Sequence, residues 1–250
     1  GNGRLDFDET VHIDLRVKNV GVETANNVTA VLSTNCQYIG IQSGTATLPS
    51  IPAGGSYDIN NAFVVHVADN VPDATKAQFI LTCTAGSESW TSSFNATISA
   101  PKLEILEVYT ANDVEPGDDG ILRIALQNTG SSASPQGTIT PSCANGFINF
   151  QNAQTSFASI EAGETTSIDI PFHASGNTQT GWAYEIQIDA EAGQYEATST
   201  TLLYIGSVRE DFETGDFSKF SWAFSGGNWS IVTDIVHNGT YAAKSATIGN

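Results

Sequence analysis

The sequence predicts an all-β protein built from tandem two-layer sandwiches, and three observations carry that prediction. Short segments alternate apolar with polar residues, the period of a strand with one buried and one wet face. Clusters of Gly, Asn, Pro and Ser separate those segments, as turns require. The chain also repeats itself, Asn19 and Gly21 returning as Asn128 and Gly130 at an offset of 109 residues.

In the first copy, VHIDLRV (11–17) alternates Val, Ile, Leu and Val with His, Asp and Arg, and the NVG at 19–21 follows it as a turn. Further runs at 28–33, 57–67, 77–85 and 90–98 are rich in Val, Ile, Thr, Phe and Tyr, and PAGG, NVPDAT and TAGSES break them apart. The second copy supplies runs at 103–109, 121–126, 137–140, 166–172, 183–190 and 195–205, with NTG in place of NVG. In both turns Asn and Gly are read as the residues that tolerate positive φ. IPAG (51–54) meets IEAG (160–163) at the 109 offset, whereas Cys36 meets Cys143 at 107, so loops change length between fixed strands. About seven strands in about 100 residues, with no helical period, define an immunoglobulin-like sandwich.

The alignment also places Gly1 opposite Thr110, so the first copy lacks a counterpart of LEILEVY (103–109). With no methionine in the chain, this predicts a segment taken from a longer polypeptide. The boundaries read as a sandwich over 1–101, a second over 102–207, and a different β segment over 208–250. The joints APK and YIGS are too short to let neighbours swing freely.

Nine Lys and Arg against 27 Asp and Glu give a net charge of −18. Such a surface repels phosphate backbones and anionic headgroups over roughly 8 to 10 Å, which argues against nucleic acid and membrane surfaces. No apolar run reaches the roughly 18 residues that a membrane-spanning helix needs, so membrane insertion by a helix is not expected.

Three cysteines and four histidines are dispersed, with no H-x-x-x-H or C-x-x-C spacing. Cys36 aligns with Cys143, while Cys83 aligns with Ala190. A pair present in one copy and incomplete in the other suggests neighbours, so Cys36 and Cys83 are either a disulfide in an oxidising compartment or two small buried thiols. Cys143 has no base nearby in sequence to lower its pKa, so no catalytic residue is assigned. Acidic clusters fall at Asp6, Asp8 and Glu9, at Asp113, Glu115, Asp118 and Asp119, and at Glu210, Asp211, Glu213 and Asp216. They are either calcium-binding loops or solvated turns.

Two stretches carry a family resemblance. GNGRLDFDETVHIDLRVKNVG resembles the opening of immunoglobulin-like modules in bacterial secreted proteins, where GNGRLDPGE precedes a strand and an N-x-G turn. Phe7 and Asp8 here replace the usual Pro-Gly, which the second copy keeps as Pro116 and Gly117. EDFETGDFSKFSWAFSGGNWSIVTD and HNGTYAAKS are similar to the start of the jelly-roll module called the cleaved adhesin domain. Phe212, Glu213, Trp222, Trp229, Gly239, Tyr241, Ala243 and Ser245 fill its F-E, W, G-x-W and G-x-Y-x-A-x-S places. Both modules occur together in the C-terminal regions of gingipain-type cysteine peptidases and related Bacteroidetes surface adhesins.

The resemblance implies tandem immunoglobulin-like sandwiches followed by the first strands of a truncated jelly roll. It further implies a secreted or cell-surface location and a non-catalytic role, spacing and presenting flanking modules of the same polypeptide. Glu213, with Asp211 beside it, would be a calcium ligand. The peptidase's own catalytic residues would lie upstream. An alternative is a glycan- or host-protein-binding module using Trp222 and Trp229, since an indole face can stack on a sugar.

Overall fold

A computed structural model describes residues 3–206, 212–218, 222–223, 228–236 and 239–245. The described secondary structure is all strand and turn. In chain order the strands are β1 (Leu5–Asp6), β2 (Thr10–Lys18), β3 (Val28–Thr34), β4 (Ile39–Ser43), β5 (Thr45–Leu48), β6 (Ser56–Val67), β7 (Lys76–Ala85) and β8 (Glu88–Ser99). There follow β9 (Leu103–Thr110), β10 (Asp119–Asn128), β11 (Gly137–Ser142), β12 (Ile148–Phe150), β13 (Thr155–Phe157), β14 (Thr165–Ala174), β15 (Trp182–Ala192) and β16 (Tyr195–Ile205). Two short strands, β17 (Trp229–Val232) and β18 (Ala242–Ser245), pair antiparallel in the tail.

The strands form two immunoglobulin-like sandwiches. In the first, the sheet β2-β6-β4 faces the sheet β1-β8-β7-β3-β5; in the second, β12-β14-β10-β9 faces β13-β11-β15-β16. Each encloses its own core: Leu15, Leu32, Phe63, Val65, Phe79 and Ile98 among others in the first, and Leu122, Ile124, Ile139, Ile170, Ile186 and Ile188 in the second. The alternation read in VHIDLRV is the cause, since Leu15 on β2 is buried while Asp14 and Arg16 beside it are exposed.

The copies match strand for strand, β2 with β10, β3 with β11, β4 with β12, β5 with β13, β6 with β14, β7 with β15 and β8 with β16. Leu15 opposes Ile59 and Ile124 opposes Ile168, the same register at the 109 offset. The return to a 107 offset falls within β6, which has 12 residues against 10 in β14. A bulge accommodates the extra pair: the register shifts between Ile13 and Leu15, Asn61 adopts φ +52°, and its amide donates to Asp14 Oδ1 at 2.7 Å.

Four structural findings correct the sequence reading. The short strands β4, β5, β12 and β13 were not read from the pattern, since three to five residues cannot display a period. Neither Gly21 nor Gly130 has positive φ; glycine is required at Gly130 for another reason, given below. Asp8 does have positive φ, +54°, at the position where the second copy places Gly117 at +94°. Finally, Cys36 and Cys83 are not neighbours, and of the two alternatives they are free thiols: Cys83 opposes Ala30, and Cys36 lies beyond Thr34 at the other end of the β3–β7 pairing. The strand steps from Ala30 to Thr34 alone rise about 13 Å, beyond the roughly 4 to 7 Å that a disulfide spans between Cα atoms.

Candidate functional site

The acidic clusters of the two sandwiches serve their own backbone. Glu9 Oε2 accepts from the Asp6 amide at 3.2 Å, and in the second copy Asp118 Oδ2 accepts from the Glu115 amide at 3.2 Å. These are equivalent carboxylates closing equivalent turns. His66 and His173 also repeat, Nδ1 of each facing the residue across the sheet, Thr10 Oγ1 at 3.3 Å and Asp119 Oδ1 at 2.9 Å. Among the described residues no group of three or more His, Cys, Asp or Glu converges as a metal site would require.

In the tail, the Glu213 carboxylate accepts from the Thr240 amide at 2.9 Å and the Tyr241 amide at 3.1 Å. It thereby ties the 212–218 segment to the edge of β18, and a Cβ on Gly239 would collide with it. Asp211 lies outside the described residues. Trp222 stacks on Phe212 at 6.0 Å and meets Phe217 edge-on at 6.2 Å, with 42% of its surface exposed. Trp229 starts β17 with 47% exposed. The two indoles are thus on separate segments.

Among the described residues, none of the three thiols is hydrogen-bonded to an acid or a base. Cys143 Sγ contacts Asn145 Oδ1 at 3.1 Å, an amide oxygen with no basicity to activate it. Burial pushes the Cys83 thiol up from its ordinary value, away from the thiolate a nucleophile needs.

The most constructed site in the molecule is the joint between the sandwiches, and it grows out of the repeated N-x-G turn. In the first copy Asn19 Oδ1 accepts from the Gly21 amide, while Nδ2 donates to the Glu23 and Ile51 carbonyls at 2.7 and 2.9 Å. In the second copy Asn128 Oδ1 accepts from Gly130, and Nδ2 donates to Ser132 and Ile160 at 2.8 and 2.9 Å, the same clamp 109 residues on. Asn128 gains one further partner: its Oδ1 also accepts from the Lys102 amide at 3.1 Å. The linker is held there by its own backbone too, Thr129 and Ser131 donating to the Lys102 and Ala100 carbonyls. Gly130 is required by this close approach, because a Cβ would stand 2.3 Å from the Ala100 oxygen and 2.5 Å from the Lys102 nitrogen. At Gly21 the nearest atom is Asn19 Oδ1 at 3.2 Å, so the same turn is open in the first copy.

Loops of the first sandwich then reach across. Asp73 Oδ1 accepts from the Ala100 amide at 3.0 Å and from Ser131 Oγ, and Ser132 Oγ donates to Asp6 Oδ1 at 3.0 Å. Tyr195, at the start of β16, inserts into the core of the first sandwich rather than its own. Its ring meets Phe7 edge-on at 5.4 Å, and its hydroxyl donates to the Val71 carbonyl at 3.0 Å. Burial, then the charges of Asp69, Asp73 and Asp8, push the phenol up to about 12, so it remains a donor at any ordinary pH. Burial alone would raise Asp73, but hydrogen bonds from the Ser131 side chain and the Ala100, Ser131 and Ala74 amides outweigh it and hold the carboxyl below 3.8.

A second feature lies at the free edge of β2. A groove of about 530 Å³ opens between β2, at Arg16 and Lys18, and the hairpin of β7 and β8, at Leu81, Cys83 and Trp90. In the second sandwich the equivalent space is filled by β9, which pairs with β10 and packs Leu103, Ile105 and Val108 on the core. The consequence shows in burial: Ile188 and Ala190 on β15 are fully buried, whereas their counterparts Leu81 and Cys83 are only half-buried. Sequence comparison of the copies shows that β9 has no counterpart within residues 1–99, but marks neither the groove nor the joint.

The fold and these features define the chain as an all-β protein of serial immunoglobulin-like sandwiches. Comparison with known proteins adds no family: no family model matches, and no curated protein matches. Among solved structures, a red sea bream transglutaminase aligns at 15% identity and TM-score 0.34, over 81% of this chain and 30% of that one. A Salmonella α2-macroglobulin aligns at 10% identity and TM-score 0.34, over 81% of this chain and 16% of that one, and a chain named BspA_C_WT at 8% and 0.38, over 80% and 94%. The chain thus spans less than a third of the first two proteins.

Proposed function

We propose that the chain is a non-catalytic extracellular scaffold that spaces and presents flanking modules of a larger surface protein, of the gingipain-like peptidase or adhesin type that the sequence resembles. The observation that supports this most is the joint. A flexible tether needs no fitted interface, yet here Asn128, Gly130 and Asp73 hold the linker, and Tyr195 packs across the joint beside it. Where these polar groups are buried, as at Tyr195 and Asn128, leaving one unpaired costs about 1 to 3 kcal/mol, so they resist bending at the linker. The segment from 208 belongs, on the same reading, to a further β module of the jelly-roll type that it resembles. Domain limits at 101–102 and 207–208 follow from the same reading.

The reading is tested by incubating the purified chain with peptide and ester substrates. No turnover is expected; reproducible hydrolysis abolished by Cys143→Ala would overturn it. Calcium bound through Glu213 and Asp211 belongs to the same proposal, and calorimetric titration with Ca²⁺ checks it: heat lost in Glu213→Gln supports the assignment. A module that binds glycan or host protein through Trp222 and Trp229 is the second reading, favoured by their exposure of 42% and 47%.

A further inference from the structure

We propose that Asn145 is a site of spontaneous self-modification: its side-chain amide is lost as ammonia, the residue becomes aspartate or isoaspartate, and the neighbouring Cys143 becomes less reactive. The turn that carries it belongs to the second sandwich alone. Only Gln37 and Tyr38 separate Cys36 from Ile39 at the start of β4, whereas Ala144, Asn145, Gly146 and Phe147 separate Cys143 from Ile148 at the start of β12. The longer connection places an Asn-Gly pair in an exposed turn. Gly146 adopts φ +71°, and a Cβ there would meet nothing within 4 Å, so the space beside its backbone nitrogen is open. That nitrogen makes one long hydrogen bond, to the Cys143 carbonyl at 3.5 Å.

The hydrogen bonds of Asn145 prepare the carbon that the nitrogen attacks. Oδ1 accepts from the Phe147 amide at 3.1 Å and from the Cys143 thiol at 3.1 Å. The Phe147 N–H can only donate, which identifies the atom facing it as the amide oxygen. Both donors polarise the side-chain carbonyl and face the oxygen on which negative charge develops when Cγ is attacked. Among the described residues Nδ2 has no hydrogen-bond partner, so it is free to leave. Base removes the Gly146 amide proton, the nitrogen bonds to Cγ, the Cγ–Nδ2 bond breaks, and Nδ2 departs as ammonia after taking a proton from water. The reactants are adjacent in the chain, so no encounter has to be paid for in entropy. Water then opens the cyclic imide at either carbonyl, giving aspartate or isoaspartate. Aspartate puts a negative charge where the amide oxygen stood, beside Cys143 Sγ, and disfavours the thiolate through which that residue reacts. Isoaspartate lengthens the backbone just ahead of Phe147, whose carbonyl accepts from Ser175 at 2.8 Å and whose ring meets Tyr184 at 5.7 Å.

The test incubates the full 250-residue chain at neutral and at mildly alkaline pH and maps its peptides by mass spectrometry. Acid at position 145 is expected in the folded chain, as a mixture of aspartate and isoaspartate, formed faster at the higher pH. Gly146→Ala should slow the conversion about tenfold or more, and Cys143→Ala, which removes one donor from Oδ1, should slow it severalfold. Because alanine is strained at the φ of +71°, Asn145→Gln supplies a second variant with no such strain; its longer side chain closes the ring poorly, and position 145 should keep its amide. Asn145→Asp should slow alkylation of Cys143 and leave Cys36 and Cys83 unchanged. Retention of the amide in the folded chain would overturn the proposal, as would conversion that appears only in denaturant or that runs undiminished in Gly146→Ala. Unchanged alkylation of Cys143 in Asn145→Asp would overturn the link between the two residues.

Discussion

A Cβ placed on Gly130 would stand 2.3 Å from the Ala100 oxygen, whereas one on Gly21 meets only Asn19 Oδ1 at 3.2 Å. The two residues share a turn and differ only in whether a linker lies against it. Gly130→Ala is therefore expected to cost about 1 to 3 kcal/mol, the range for forcing atoms into packed space, while Gly21→Ala stays within about 0.5 kcal/mol. Denaturant unfolding of the two variants checks this, and equal losses would contradict it. Asp73 makes the joint sensitive to acid. Its folded pKa is depressed below 3.8, so its contribution is present above the unfolded value and is lost as pH falls through the folded one. Acid titration below about pH 4 should loosen the joint, and Asp73→Asn should remove that pH dependence; an unchanged acid profile in the variant would refute the assignment.

At the scale of elements, the missing partner of β2 changes what its neighbours contribute. Ile188 is fully buried beneath β9, and Leu81 holds the same place beneath an open groove. Truncation to alanine should cost about 2 to 5 kcal/mol at Ile188 and less than half of that at Leu81. Thermal unfolding of the two variants decides it, and a larger loss at Leu81 would mean that the groove is closed in solution. β2 and β10 were legible in the sequence because nine or ten residues show their alternation, and the other long strands because they are rich in β-branched and aromatic residues between turns. The duplication was legible because the clamp asparagines and their glycines recur in sequence. The joint was not, because Asp6, Asp73, Ser131 and Tyr195 are brought together only by folding and no spacing marks them. Nor did the cysteine pattern reveal strand register: alignment made Cys36 and Cys83 look like neighbours, but register along β3 and β7 separates them.

For the molecule as a whole, the same sandwich appears twice, and the second copy receives the linker on its N-x-G turn. Most of the net charge of −18 lies on the two sandwiches and makes them repel, so order along the chain has to come from the fitted joint rather than from nonspecific attraction. The central claim is that the two sandwiches tumble as one body. Residual dipolar couplings measured separately for residues 3–99 and 103–205 test it most directly. A single alignment tensor should fit both sets in the native chain, and two tensors should be needed once Tyr195→Ala and Gly130→Ala are combined. Two different tensors in the unaltered protein would contradict the account.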